Sequence, residues 1–379
     1  MRRRGTLPAA LLLCGAAACA TPAFVPPPFE PEPAPPPGAV TAVVFLVGDA
    51  GDLPRERSAV LHRLRTDVEE WSAALPDGAT TVLYLGDNVY PVGVRDPGSP
   101  DFPADSARLA GQVWAATGPE SSARGTRVRF LPGNHDWGNT TGATGVARLQ
   151  NQADLLERLA PGVTLSPPPG DPGPTVLDVG SALRMVLLDT HWWLQSDQAD
   201  RKERVLDGLR RALREAGDRP TVVAAHHPLA TGGPHGGGIV DPFFLLRKAG
   251  AVIQDLNAAP FEELRAGLSR AFRESNRPLV FVGGHDHSLQ VLNTAGPGSP
   301  AWSLVSGAGS KLSPVADAPG LRWAGSRPGY MRLVVSRDGG VRLFVEAAPD
   351  APEPCEATAP ECLARAAGAF STVYSVRLR

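Results

Sequence analysis

The feature that most limits what this chain can fold into is a set of short apolar runs, rich in β-branched residues, that stop at Asp, Asn or His. "TAVVFLV" (41–47) runs into "GDAGD", "TTVLYL" (80–85) into "GDNVY" and "RVRFL" (127–131) into "PGNHDW". "PTVVAA" (220–225) runs into "HHP", and "PLVFV" (278–282) into "GGHDHS". A sixth run, "LRMVLL" (183–188), has the same character. Near-continuous hydrophobicity over so few residues suits central strands buried on both faces. Between the runs, "RERSAVLHRLRTDVEEW", "ADSARLAGQVWAAT" and "DQADRKERVLDGLRRALREAG" carry apolar residues three and four apart, which reads as amphipathic helix. Strand–helix alternation predicts an α/β fold with helices on the sheet faces. In such folds ligands bind beyond the carboxyl ends of the strands, where five runs here deliver Asp49, Asp87, Tyr90, Asn134, His135, His226, His227, His285 and His287.

Taken singly, these residues have ordinary explanations. Gly-Asp and Gly-Asn open many loops, and a lone His at a strand end is commonly hydrogen-bonded scaffold. Five such endings in one chain, one of them His-x-His, point instead to a metal site. The candidate ligands number seven, too many for one ion, so the set implies two. Asp and Tyr oxygens suit hard ions and imidazole suits iron, zinc and manganese, while a carboxylate such as Asp87 can bridge. Two ions ~3.5–4 Å apart are a recurring device for phosphoester hydrolysis. Tyr90 narrows the choice. A free phenol has a pKa of about 10, so binding as phenolate at neutral or acid pH calls for a highly charged, hard ion. Fe(III) meets that need better than Zn(II) or Mn(II), and it would acidify a bound water. The plain alternative is that Tyr90 packs under its loop.

The ordered motifs Asp-x-Gly (Asp49, Gly51), Gly-Asp-x-x-Tyr (Gly86, Asp87, Tyr90), Gly-Asn-His-Asp (133–136), Val-x-x-His (Val223, His226) and Gly-His-x-His (284–287) resemble the calcineurin-like metallophosphoesterases. The Tyr makes the chain similar to the purple acid phosphatases, in particular the small mammalian-type enzymes, since the chain has no room for the extra β domain of the large plant-type ones. The resemblance spans residues 41–287 and implies a β-sandwich of mixed sheets flanked by helices, with the active site at the strand ends. It implies that Asp49, Asp87, Tyr90 and His287 hold Fe(III), and that Asp87, Asn134, His226 and His285 hold a divalent Fe, Zn or Mn. His135 would contact the phosphate and help protonate the leaving group, and His235 would be a second substrate-facing histidine. The sequence departs from the small enzymes at His227, where they carry an aromatic; the His-x-Pro alignment favours His226 as ligand and His227 as scaffold. Asp136 and Asp286 are expected to orient imidazoles. Trp137, His191, Trp192 and Trp193 either line the substrate mouth or pack at the sheet edge.

The function expected is hydrolysis of phosphomonoesters, on a phosphorylated small molecule or phosphopeptide. The alternative within enzymes is a phosphodiesterase with two divalent ions and no Fe(III). A binding-only protein would have lost ligands, and none is missing. With 37 Lys+Arg against 39 Asp+Glu the chain offers no basic field for nucleic acid.

The remaining segments speak to location. "MRRRG" followed by "LPAALLLCGAAACA" reads as an export signal over residues 1–19, with Cys19 after small residues as an expected lipidation site and membrane tether. The expected location is periplasmic, as an anchored lipoprotein or otherwise secreted. Its apolar stretch falls short of the ~20 residues a membrane span needs. Residues 20–39, rich in Pro, are expected to be a semi-rigid spacer that holds a catalytic domain, 40–379, off a membrane. Cys355 and Cys362 are expected to form a local disulfide. The tail reads as a hairpin over 329–348 and a last strand over 370–379.

Overall fold

The computed structural model describes residues 24–27, 29–236, 238, 249–294, 296–350 and 360–379. The strands among them are β1 (Val40–Val47), β2 (Thr80–Tyr84), β3 (Arg127–Phe130), β4 (Thr164–Leu165), β5 (Thr175–Val179), β6 (Leu183–Leu187) and β7 (Thr221–Ala224). They continue as β8 (Val280–Gly283), β9 (Leu289–Asn293), β10 (Trp302–Ser306), β11 (Leu321–Gly325), β12 (Gly329–Ser336), β13 (Val341–Ala347) and β14 (Ser371–Arg377). They form two seven-stranded sheets, ordered β14-β13-β12-β1-β2-β3-β4 and β11-β9-β10-β8-β7-β6-β5. Both are mixed. β1 to β4 are parallel, and the hairpin β12–β13 joins β1 antiparallel. In the second sheet β6, β7, β8 and β10 are parallel, with β5 and β9 antiparallel to them.

The continuous apolar runs are explained by burial on both faces. Ala42, Val44 and Leu46 of β1 share an inter-sheet core with Leu83, Val222, Ala224, Val280 and Val282. Val43, Phe45 and Val47 belong to the core under the helices, with Leu61, Leu64 and Val68. Each fully buried Val, Leu or Phe contributes roughly 1.5–3 kcal/mol. Parallel neighbours need long crossovers. Here these are the helices Ala59–Ala74 and Phe102–Ala116 in the first sheet, and Ala199–Glu215 and Ala259–Arg273 in the second. The first of them starts where Ser58 Oγ accepts from the Leu61 amide at 3.3 Å. The sheets meet at their carboxyl edge, where Gly48 N donates to Ser306 O at 2.7 Å.

The six apolar runs all become strands and the three periodic segments all become helices. The described part of the Pro-rich segment touches the domain at several points. Phe24 N donates to Val315 O at 2.9 Å, Glu32 N to Ser375 Oγ at 2.9 Å, and Phe29 packs on Tyr374 at 4.5 Å between ring centroids. Proline leaves this segment few backbone donors, and two of those that remain, with the Phe29 ring, find partners on the domain. Cys362 is disulfide-bonded, while Cys355 lies outside the described residues, as do the export signal and Cys19. Among the described residues no helix is long and apolar enough to cross a membrane.

Candidate metal centre

The strand ends converge on one small volume, and their backbone is bent to do so. Asp49, Asp87 and His285 follow β1, β2 and β8 with φ of 57°, 55° and 68°, a left-handed conformation that non-glycine residues seldom adopt. Two glycines make the close approach possible. A Cβ on Gly133 would stand 2.3 Å from Asp87 N, and one on Gly284 would stand 2.4 Å from Asp49 Oδ2.

Two groups of donor atoms result. In the first, the Tyr90 hydroxyl lies 3.0 Å from Asp49 Oδ1 and 3.2 Å from His287 Nε2, with His287 Nε2 3.6 Å from Asp49 Oδ1. In the second, His226 Nε2 lies 3.0 Å from Asn134 Oδ1, 3.2 Å from His285 Nδ1 and 3.4 Å from Asp87 Oδ1. Asp49, Asp87 and His226 can each place one ligand atom within 4.8 Å of the others', and so can His226, His227 and His285. Asp87 thus stands between the groups.

The second group is a test of whether a cation fits. His226 Nδ1 faces the Leu85 carbonyl at 2.9 Å, so that nitrogen carries the proton and Nε2 presents a lone pair. Asn134 Nδ2 donates to Asn139 Oδ1 at 2.8 Å, which turns Asn134 Oδ1 inward. Around His226 Nε2 stand two oxygens that accept, from Asn134 and Asp87, and His285 Nδ1, which donates or accepts according to its tautomer; a shared proton or a metal ion can hold such a group together. His285 Nε2 and His227 Nε2 are buried with no hydrogen-bond partner among the described residues.

The electrostatics agree. Burial, added to by the Asp87 charge, raises the Asp49 carboxyl well above the usual range. Burial, then Asp49 and Asp87, hold the Tyr90 phenol well above its ordinary value. Burial opposes ionisation of Asp87 and protonation of His226, yet the attraction between the two prevails: Asp87 is lowered and His226 rises to about 9. His287 falls to about 4, mainly through burial. The protein alone thus favours the neutral forms of Asp49 and Tyr90 and the protonated form of His226. A cation among them would reverse all three, so the donor set fits one.

Around this centre the structure corrects two expectations. Asp136 orients no imidazole; it accepts from Asn88 N at 2.9 Å, Val89 N at 3.2 Å and Gly133 N at 2.8 Å, tying the Asp87 and Asn134 loops together. Asp286 likewise holds backbone and hydroxyl, accepting from His235 N at 3.2 Å and Thr231 Oγ1 at 2.5 Å. Both carboxylates follow a motif His, but their side chains turn back under the loops. Trp137, His191, Trp192 and Trp193 are all buried, with Trp137 Nε1 donating to Asp189 Oδ2 at 2.8 Å, and Trp137, His191 and Trp192 also line a cavity with Gln195 and Arg201. His227 is buried with Nδ1 2.8 Å from Thr190 Oγ1, a scaffold contact.

His135 and His235 stand at the opening. His135 Nδ1 is 2.5 Å from the Pro91 carbonyl and its backbone N donates to Asp87 Oδ1 at 2.9 Å. His235 packs against His285 at 3.8 Å between centroids, the rings tilted by 38°. Two neighbours escaped the sequence reading. Lys311 Nζ sits 3.7 Å from the centre of the Tyr90 ring, and buried Asp255 Oδ1 is 2.5 Å from His235 Nδ1. Neither belongs to a strand-end motif; the only local sign was a lysine in the Gly-rich stretch "GAGSK".

No family model matches this sequence, and no curated protein matches it. Solved structures do match the fold. One is "GAP50 the anchor in the inner membrane complex of Plasmodium", at TM-score 0.55 and 13% identity, over 90% of this chain and 89% of that one. Another is the purple acid phosphatase PPD1 from yellow lupin (Lupinus luteus) seeds, at TM-score 0.50 and 14% identity, over 82% of this chain and 52% of that one. At such identities the likeness is one of fold: this chain shares its architecture, two mixed sheets flanked by helices, with those structures.

Proposed function

We propose that this chain is a binuclear-metal hydrolase of phosphomonoesters, a small purple-acid-phosphatase-like enzyme. In this reading Asp49, Asp87, Tyr90 and His287 hold Fe(III), and Asp87, Asn134, His226 and His285 hold a divalent Fe, Zn or Mn. Two such ions would supply Lewis-acid charge for a phosphoryl group and a more acidic water. The observation that carries the reading is the convergence of Asn134, Asp87 and His285 on His226 Nε2 beside a buried phenol–carboxylate pair.

The chain's own groups then do the rest. The Pro91 carbonyl keeps the His135 proton on Nδ1, so Nε2, 3.9 Å from Asp87 Oδ2, turns to the centre. There it can meet a phosphoryl oxygen and, when protonated, serve the leaving oxygen. The substrate class in this reading is a phosphorylated small molecule or phosphopeptide, met by an exported protein tethered through Cys19.

The first test is a visible spectrum with metal analysis on wild type and Tyr90→Phe. A broad charge-transfer band, iron in the protein and loss of the band in the variant are expected. A colourless, iron-free protein that hydrolyses esters with added Mn(II) or Zn(II) would replace this reading with a two-divalent-metal phosphodiesterase. A second reading has its own support: the GAP50 structure, matched over most of both chains, is titled an anchor, which favours a phosphatase-like fold used for binding alone. Metal-free protein with no hydrolysis under any added metal would establish that one.

A further inference from the structure

We propose that Asp255 is a positioning residue for His235, and that the two form a buried carboxylate–imidazole pair that presents His235 to a phosphate at the mouth of the metal centre. What His235 addresses rests on the phosphatase reading above; the pairing rests on geometry. His235 is clamped at three points. Its backbone N donates to Asp286 Oδ1 at 3.2 Å, its carbonyl accepts from Leu256 N at 3.0 Å, and its ring Nδ1 lies 2.5 Å from Asp255 Oδ1. The ring also packs against His285, 3.8 Å between centroids and tilted by 38°.

Asp255 reaches this place from a turn of its own. Its N donates to Val252 O at 3.0 Å, and its carbonyl accepts from Ala258 N at 2.9 Å, just ahead of the helix Ala259–Arg273. Its side chain is fully buried, while that of His235 remains 18% exposed. The exposed member is therefore the one that can touch a ligand, and the buried member is the one that orients it. A carboxylate on Nδ1 places the proton on that nitrogen and sets which way the ring faces.

The test is a double-mutant cycle read by binding, so that it does not depend on turnover. Full-length protein as purified with its metals is titrated with inorganic phosphate by calorimetry. His235→Ala and Asp255→Ala are each expected to weaken phosphate binding about tenfold. The double variant is expected to be no worse than His235→Ala alone, because Asp255 acts through His235. Asp255→Asn is expected to stay within about threefold of wild type, since the amide oxygen still accepts from Nδ1–H. If Asp255→Ala does not fold, Asp255→Leu, branched at Cγ like Asp, takes its place. Independent losses that multiply to about a hundredfold in the double variant would overturn the pairing, as would Asp255→Ala binding like wild type. Absence of phosphate binding in wild type would overturn both the pairing and the phosphatase reading. A cycle that holds, in a protein that fails to turn over p-nitrophenyl phosphate, would keep the pair and remove the phosphatase reading alone.

Discussion

Asn134 is a neutral side chain made into a directed donor by a second asparagine. Because its amide nitrogen is spent on Asn139, its oxygen can only face His226. Asn134→Ala should therefore weaken the divalent site by about tenfold or more, while iron content stays at the wild-type level. Calorimetric titration of the variant with Zn(II) checks this, and unchanged affinity would take Asn134 out of the ligand set. Tyr90 differs in kind. Its hydroxyl is the only phenol in the centre, and Lys311 lies over its ring face, a cation–π contact that any ion bound to the oxygen would feel from the other side.

At the level of elements, the centre depends on loops that touch because glycine lets them. Gly133→Ala would push a methyl group into the Asp87 amide and carboxylate, both 2.3 Å from the new Cβ. Nothing there is a flexible side-chain end, so the variant should lose about 1–3 kcal/mol in denaturant melts and bind metal poorly. The short helix Thr190–Gln195 carries a different liability. Its cap, Asp189, accepts from Trp192 N at 3.0 Å, yet burial raises its carboxyl to about 7. A carboxyl that holds its proton more tightly when folded contributes stability that is present below its unfolded value, near 3.8, and is lost as pH rises toward 7. The stability of wild type relative to Asp189→Asn should thus fall between about pH 4 and pH 7, with a slope approaching ~1.4 kcal/mol per unit. Parallel stability curves for the two proteins would contradict the buried, protonated cap.

These elements also show what could be read in advance. Asp49, Asp87 and His226 were legible because each follows a run too apolar to be anything but a buried strand. β9, β10 and β11 were not, since "LQVLN", "WSLVS" and "LRWAG" mix polar and apolar residues. The helix Gly142–Leu159 opens on Gly-Ala-Thr-Gly, which reads as loop, and forms because Leu149, Leu155 and Leu156 find a core. Asp255 was invisible for another reason: it lies 20 residues from His235 with no periodic pattern linking them, and only the folded turn brings them together.

Across the whole molecule, stability and chemistry occupy separate places. The helix Ala59–Ala74 is tied to the outer face of β12 by a buried polar network. Asp67 accepts from the Tyr330 hydroxyl and pairs with Arg63 at 2.9 Å, while Arg332 pairs with Glu346 at 3.1 Å. Asp67→Ala would strand buried Tyr330 and weaken the hold on both arginines, so a loss of about 3–5 kcal/mol is expected. Metal stoichiometry should not change, since none of these residues reaches the centre; metal analysis beside a thermal melt separates the two effects.

The Pro-rich arm, laid along the domain, ends its described course at Phe24, bonded to Val315. Two residues before Val315, Ser313 N donates to His287 O at 2.7 Å, and one residue after it, Ala316 N donates to Gly232 O at 2.8 Å. The arm therefore emerges beside the loops that carry the catalytic candidates. From Cys19 to Phe24 is five residues of chain, a reach of at most ~18 Å. Acylation at Cys19 would then act as a short leash attached next to the opening. An enzyme so held would work the layer of esters nearest the bilayer and leave the bulk solution largely unsampled.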